Sequence, residues 1–333
     1  MSARRLTRYQ KKRAKKAAKV ALGVLVALVV LAGFTMYYLD RYSLLPAPNA
    51  QLHGKDDAGY IPVSAEVLDV EIGAKQAFVY DCNRGEIVYL KGERQVVYPA
   101  STTKLLSILT ALEHLSPDEI ITPGEELSLV GEGSSIAYIN ENHRLTVEML
   151  IEGMLLPSGN DAAMVLAAAA GNRMSDGEAT GKEAVEVFVR SMNEYANTLG
   201  AIDTHFTTPD GLAGDDHYTT LEDMILISRA AAENELICRY AGLYRDHVTY
   251  ASGHTNTWVN TNALLDPDSP YYHPSVTGLK TGSLDRNYCV ISTVEQNGER
   301  YIIGIFGARD KNARFEDTIT IIDRLFPAKE VTP

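Results

Sequence analysis

Apolar positions recur with helical spacing at Leu105, Ile108, Leu109 and Leu112, predicting a helix that begins at or near Ser101 and buries that face. The same period of three and four predicts helices over residues 146–156, 162–170, 182–199 and 221–232, with a closing helix marked by Phe315, Ile319, Ile322 and Leu325. Strand patterns lie outside this helical block. Ala77–Tyr80 and Glu86–Leu90 flank Asp81-Cys-Asn-Arg-Gly85, and Tyr288–Val294 and Arg300–Phe306 flank Asn297-Gly298, so two hairpins are expected. Further strand signals occupy 248–265 and 276–283. Hairpins at both ends of a helical middle, without β-α-β crossovers, predict an antiparallel sheet whose first and last strands meet.

The N-terminal sixty residues follow a different pattern. Val20 to Leu39 is a twenty-residue run without a charge, bounded by Lys19 and Asp40. At ~1.5 Å per residue it is long enough to span a hydrocarbon core of about 30 Å. It exceeds the apolar core of a cleaved signal and lacks a clean small-x-small site before Asp40, so an uncleaved anchor is expected. Residues 1–19 hold nine Lys or Arg and no acid, which places that end in the cytoplasm and the body outside. Residues 40–60, with Pro46, Pro48, Gly54 and Gly59, read as an extracellular stem. The body is expected over 61–327 and a short tail over 328–333.

Charge and cysteine usage narrow the function classes. Beyond the basic tail, 22 basic residues face 43 acidic ones, a formal −21, which argues against nucleic acid as a partner. Three cysteines without a C-x-x-C spacing indicate neither a zinc ribbon nor a disulfide framework, and eight scattered histidines supply no metal-ligand set.

Three short segments carry the candidate chemistry. Ser101 at a helix start lies where backbone N–H groups favour developing negative charge, and Lys104 shares its face one turn on. A desolvated, neutral lysine amine there could take the serine proton. Alone, Ser-x-x-Lys is common and Ser101 would be read as a helix cap. Ser158-Gly159-Asn160 falls between two helices, where a Ser and an Asn can pass a proton and hold an amide. Lys280-Thr281-Gly282 follows a strand pattern, where Lys280 and Thr281 can hold a carboxylate and Gly282 lets a substrate backbone approach.

Together, in this order, the three motifs resemble those of the penicillin-recognising serine acyl-transferases, Ser-x-x-Lys, Ser-x-Asn and Lys-Thr-Gly. Longer strings narrow the resemblance to the serine-type D-Ala-D-Ala carboxypeptidases, the low-molecular-mass penicillin-binding proteins. These are Pro99–Lys104, Ser158–Ala163, Thr204–Leu212, Asn260–Leu265 and Gly278–Gly282, within roughly residues 60–327.

The resemblance implies an α/β (α+β) fold: a five-stranded antiparallel sheet flanked by helices, plus an inserted all-helical subdomain at about 115–245. It also implies a mechanism. Ser101 attacks the penultimate D-alanine carbonyl with Lys104 as base, and the N–H groups of Ser101 and Ser283 form the oxyanion hole. Ser158, with Lys280, passes a proton to the departing D-alanine, and Asn160 orients Lys104 or the substrate amide. Lys280 and Thr281 receive the terminal carboxylate beside Gly282. Water then hydrolyses the acyl-enzyme, and no metal or organic cofactor is needed. The implied partners are peptidoglycan stem peptides ending in D-Ala-D-Ala, β-lactams as covalent inhibitors and, through the N-terminal helix, the lipid bilayer of a bacterial cell membrane.

Departures from the family pattern are visible. Thr261 stands where some members carry Arg between two asparagines, and Ser283–Tyr288 runs one residue shorter than usual after Lys-Thr-Gly. The C-terminal β domain and anchor helix of many members are not expected before Pro333, an N-terminal anchor taking their place. Rival readings are a class A β-lactamase, which carries Ser-Asp-Asn where Gly159 stands here; a D,D-endopeptidase or transpeptidase using the same residues; and a non-catalytic penicillin or peptidoglycan receptor.

Overall fold

The computed structural model describes residues 61–92, 95–285 and 287–327. The expected basic tail, membrane anchor, stem and C-terminal tail lie outside the described residues. No helix among the described residues is long and apolar enough to cross a membrane.

The expected hairpins form. β1 (Gln76–Asp81) pairs antiparallel with β2 (Glu86–Lys91), closed by Asp81, whose Oδ1 accepts from the N–H groups of Asn83 and Arg84 at 2.8 and 3.0 Å. Short strands β3 (Ile120–Ile121) and β4 (Leu145–Thr146) pair with each other, as do β5 (Arg245–Thr249) and β6 (Thr255–Val259). β7 (Val276–Leu284), β8 (Asn287–Gln296) and β9 (Glu299–Ala308) form a meander. The main sheet has the order β2-β1-β9-β8-β7, so the first and last strands pair in the middle. Both faces of its central strands are covered, which is why their sequences read as nearly continuous apolar runs.

On one face lie helices from the interior of the chain: α1 (Lys104–Leu112), α2 (Val147–Leu155), α3 (Asn160–Met174), α4 (Gly181–Thr198), α5 (Leu221–Glu233) and α6 (Glu235–Ala241). Phe78, Ile291, Ile302 and Phe306 of the sheet join their core. On the other face α7 (Ala313–Leu325) packs Phe315, Ile321 and Ile322 against Val79, Val290, Ile303 and Ile305. The alternation of these residues along β1 and β9 is the period-two rule of a strand. Fold class and sheet thus match the sequence reading.

Three boundaries differ. The strand signal over 248–265 ends at Val259, because Asn260 and Asn262 fold back on their own backbone: their side-chain oxygens accept from the N–H groups of Asn262 and Leu264. The expected 162–170 helix begins at Asn160, its polar first residues being drawn into the site rather than into the apolar face. Helix α6, seven residues long, is too short for a periodic signal; Asn234 caps it by accepting from Leu236 and Ile237.

Helix α2, which leads into the Ser158 segment, carries one buried acid. Glu152 is 2% exposed, and its Oε1 has no hydrogen-bond partner among the described residues. Burial, then the neighbouring carboxyl of Asp246 on β5, then Glu148, push its pKa up to about 8. Glu148 itself accepts from Arg239 and Tyr240. The native state holds this proton up to about pH 8, whereas the unfolded chain releases it near 4.5, so folding stability falls as pH rises between those values. Glu152→Gln, which cannot ionise, is expected to flatten that fall. Urea unfolding at pH 5 and pH 9 measures it, and parallel losses in both proteins would contradict the assignment.

Candidate active site

The turn that carries Ser101 is tight. Ala100–Thr103 is one 3-10 turn running directly into α1, so the predicted helix start is present in a more compact form. Ala100 has φ 49°, a conformation costly for a residue with a Cβ. Two neighbours leave it little room. A Cβ on Gly211 would lie 2.0 Å from Ala100 O, and one on Gly282 would lie 2.8 Å from Pro99 O and 3.3 Å from Ser101 N. Strand β7 therefore lies directly against the serine turn, and the lack of a side chain at Gly282 makes room for that turn, where the sequence reading had expected it to admit a substrate backbone.

Lys104 is fully buried, and its Nζ donates to Ser101 Oγ (2.9 Å), Asn160 Oδ1 (2.7 Å) and Asp210 O (3.0 Å). None of these acceptors is a carboxylate. Burial lowers its pKa to about 8, against the opposing pull of the Asp210 and Asp161 carboxylates. Ser101 Oγ also reaches Asp210 O at 3.4 Å.

Lys280 is the second buried amine. It lies in the middle of β7 rather than at a strand end, and its Nζ donates to Thr281 O at 3.0 Å. Its pKa is lowered well below the ordinary value by burial, then by the cations Lys104 and Arg314. Thr281 and Thr261 share a hydroxyl–hydroxyl hydrogen bond of 2.5 Å, so Thr261 stands beside the Lys-Thr-Gly strand as a neutral partner. Ser283 is exposed near the end of β7, one residue inside the Leu284–Asn287 pair that closes the hairpin. The alternation of an antiparallel ladder then turns its N–H away from β8.

Asn160 opens α3 and is anchored on both sides. Its Oδ1 faces Lys104, its Nδ2 donates to Ser134 Oγ at 3.0 Å, and its backbone N–H donates to Ser135 O at 2.8 Å. Next to it, Asp161 accepts from the N–H groups of Ala137 and Ile139 at 2.8 and 2.9 Å. Gly159 is needed between them, because a Cβ there would meet Asp161 Oδ1 at 2.7 Å and Ala137 Cβ at 2.8 Å. Ser158, buried with φ 63°, leads into this cluster from α2.

The structure thus brings the three predicted segments together. Ser101, Lys104 and Asn160 are linked by hydrogen bonds, Lys280 lies within electrostatic reach of Lys104, Thr281, Gly282 and Ser283 line the strand beside the serine turn, and Ser158 adjoins Asn160. Three contributors escaped the sequence reading. The Asp210 carbonyl lay within a matched string but carries no side-chain signal. Ser134 sits in a polar Gly131–Ser135 run that reads as loop. Arg314, buried at the start of α7, donates from Nη1 to Gly282 O (2.8 Å), Ser283 Oγ (3.1 Å) and Cys289 O (3.1 Å), bracing β7 from behind. A lone arginine at a helix start gives no pattern to find.

Residues 62–310 match the peptidase S11 family, D-alanyl-D-alanine carboxypeptidase. The chain is 29% identical over 266 residues to the D-alanyl-D-alanine carboxypeptidase DacF of Bacillus subtilis, covering 78% of this chain and 64% of that protein. It is 30% identical over 269 residues to DacD of Escherichia coli, covering 77% and 63%. It therefore spans less than two thirds of the length of these curated relatives. Among solved structures, the Streptomyces K15 DD-transpeptidase superposes with a TM-score of 0.71 at 27% identity, over 79% of this chain and 100% of that one. Penicillin-binding protein D2 of Listeria monocytogenes, in its ampicillin-bound form, gives 0.62 at 28% identity, over 77% and 98%.

A neutral Lys104 can accept the Ser101 proton and an ammonium cannot. Labelling of Ser101 by an uncharged sulfonyl fluoride is therefore expected to rise about tenfold per pH unit below pH 8 and level off above it. Lys104→Met should abolish the rise. Labelling independent of pH from 6 to 9 would contradict Lys104 as the base.

Proposed function

Because this chain belongs to the D-alanyl-D-alanine carboxypeptidase family, we propose that it removes the terminal D-alanine from peptidoglycan stem peptides through an acyl-enzyme on Ser101. The observation that carries this reading is the buried Lys104 amine, 2.9 Å from Ser101 Oγ and held by neutral acceptors.

Lys104 takes the hydroxyl proton as Ser101 Oγ bonds to the penultimate D-alanine carbonyl carbon. The oxygen of that carbonyl becomes an oxyanion, for which the N–H groups of Ser101 and Ser283 are the donors. As the intermediate collapses, the C–N bond breaks and the leaving D-alanine nitrogen receives the proton held by Lys104, relayed through Ser158 beside Lys280, which leaves Lys104 neutral again. Water, deprotonated by the same amine, then cleaves the ester and returns the proton to Ser101.

Substrate recognition follows from charge. Burial, and then the cations Lys104 and Arg314, disfavour the protonated form of Lys280, and a substrate carboxylate opposes that shift. Thr261 supplies a hydroxyl where some members of the family carry Arg, so carboxylate binding rests on Lys280 and Thr281, with Arg314 behind them. Gly159 supports a carboxypeptidase over a class A β-lactamase, since the space beside it is filled by Asp161 and Ala137.

The domain reading extends the proposal: a basic cytoplasmic tail over 1–19, a membrane anchor over 20–39, a stem over 40–60 and the penicillin-binding domain over 61–327, facing the outside of a bacterial cell. The charge-free run between Lys19 and Asp40 supports it.

The test is release of D-alanine from a synthetic peptide ending in D-Ala-D-Ala. Wild type should release it, β-lactams should block it, and Ser101→Ala should lower it by at least ~10⁴-fold. Penicillin binding without release would favour the receptor reading, and release retained by Ser101→Ala would remove Ser101 from the reaction.

A further inference from the structure

Between Ser134 and Ile139 the chain forms a pinned turn at the edge of the site. Asp161 holds the N–H groups of Ala137 and Ile139, the residues on either side of Tyr138. Ala137 O accepts from Asn256 Nδ2 and Trp258 Nε1, both at 3.0 Å, and Ser135 O accepts from Asn160 N. Within this frame Tyr138 has φ 62°, a conformation that bulky residues rarely adopt and that Asn or Gly take readily. The side chain so positioned is not buried in compensation. It is 70% exposed, beside Ile136 at 37%. A strained backbone, fixed by buried hydrogen bonds, thus displays an aromatic ring to solvent, and strain of this kind collects at ligand-binding positions.

We infer that Tyr138 is a specificity-determining residue, a rigid platform for the stem-peptide residue preceding the D-Ala pair. This rests on the carboxypeptidase reading. From Ser134, which touches Asn160, Tyr138 is four residues away and so no more than about 14 Å along the chain. A D-Ala-D-Ala pair spans only about 7 Å. The Tyr138 turn therefore stands within the span that the dipeptide held by Ser101 and Lys280, plus one further residue with a long side chain, can cover. A tyrosine there offers a large contact area with few rotors to immobilise, suited to a long aliphatic side chain.

Two substrates and two variants test this: acetyl-Gly-D-Ala-D-Ala against diacetyl-Lys-D-Ala-D-Ala, with Tyr138→Asn and Tyr138→Phe. Wild type should favour the lysyl peptide in kcat/KM by about tenfold, the scale of one apolar contact. Tyr138→Asn should lose that preference while hydrolysing the glycyl peptide as wild type does, and Tyr138→Phe should keep it. The melting temperature of Tyr138→Asn should equal or exceed that of wild type, because Asn suits the left-handed backbone. A preference retained by Tyr138→Asn, no preference in wild type, or a Tyr138→Asn protein melting well below wild type would overturn the inference. No release from either peptide by wild type would instead refute the carboxypeptidase reading on which it stands.

Discussion

A buried amine whose hydrogen-bond acceptors are all neutral organises this molecule. Lys104 donates to a hydroxyl, an amide oxygen and a backbone carbonyl, contributed by the serine turn, the start of α3 and the Asp210 segment. A direct carboxylate partner would have held the amine in its charged form; neutral acceptors position it and leave burial free to lower its pKa to about 8. Because the three acceptors belong to segments far apart in sequence, correct placement of one side chain requires the serine turn, the start of α3 and the Asp210 segment to be packed correctly on one another.

The surrounding structure secures that packing with polar contacts. Asp161 ties the 137–139 turn to α3, Asn160 joins that turn to Lys104, and Arg314 braces β7 where it passes the serine turn. Backbone conformations with positive φ at Ala100, Ser158 and Tyr138 all fall in or beside this region. Such strain persists only where surrounding contacts determine the backbone, and here the determining contacts are buried hydrogen bonds and close glycine approaches at Gly159, Gly211 and Gly282.

Much of this is legible in the sequence, for identifiable reasons. The sheet was readable because Asn297-Gly298 and Asp81–Gly85 are turn chemistry between strongly apolar runs, and the helices because Leu105 to Leu112 and Val185 to Ala196 keep a helical period. Ser101, Lys104, Ser158, Asn160 and Lys280 stood out because each belongs to a compact motif. What remained hidden acts through backbone or through isolation: the Asp210 carbonyl has no residue-type signature, Arg314 is one cation in an amphipathic helix, and the end of the strand signal at Val259 depends on Asn260 and Asn262 bonding their own backbone. The pairing of Thr261 with Thr281 is likewise a tertiary contact, unreadable from a spacing of twenty.

The central claim is that Ser101 is the nucleophile served by this buried amine. The most direct measurement is to treat the intact protein with benzylpenicillin, digest it and locate the covalent adduct by mass spectrometry. A single adduct on the peptide containing Ser101, absent from Lys104→Met, is the predicted result; an adduct on another residue, or unimpaired labelling of Lys104→Met, would contradict it.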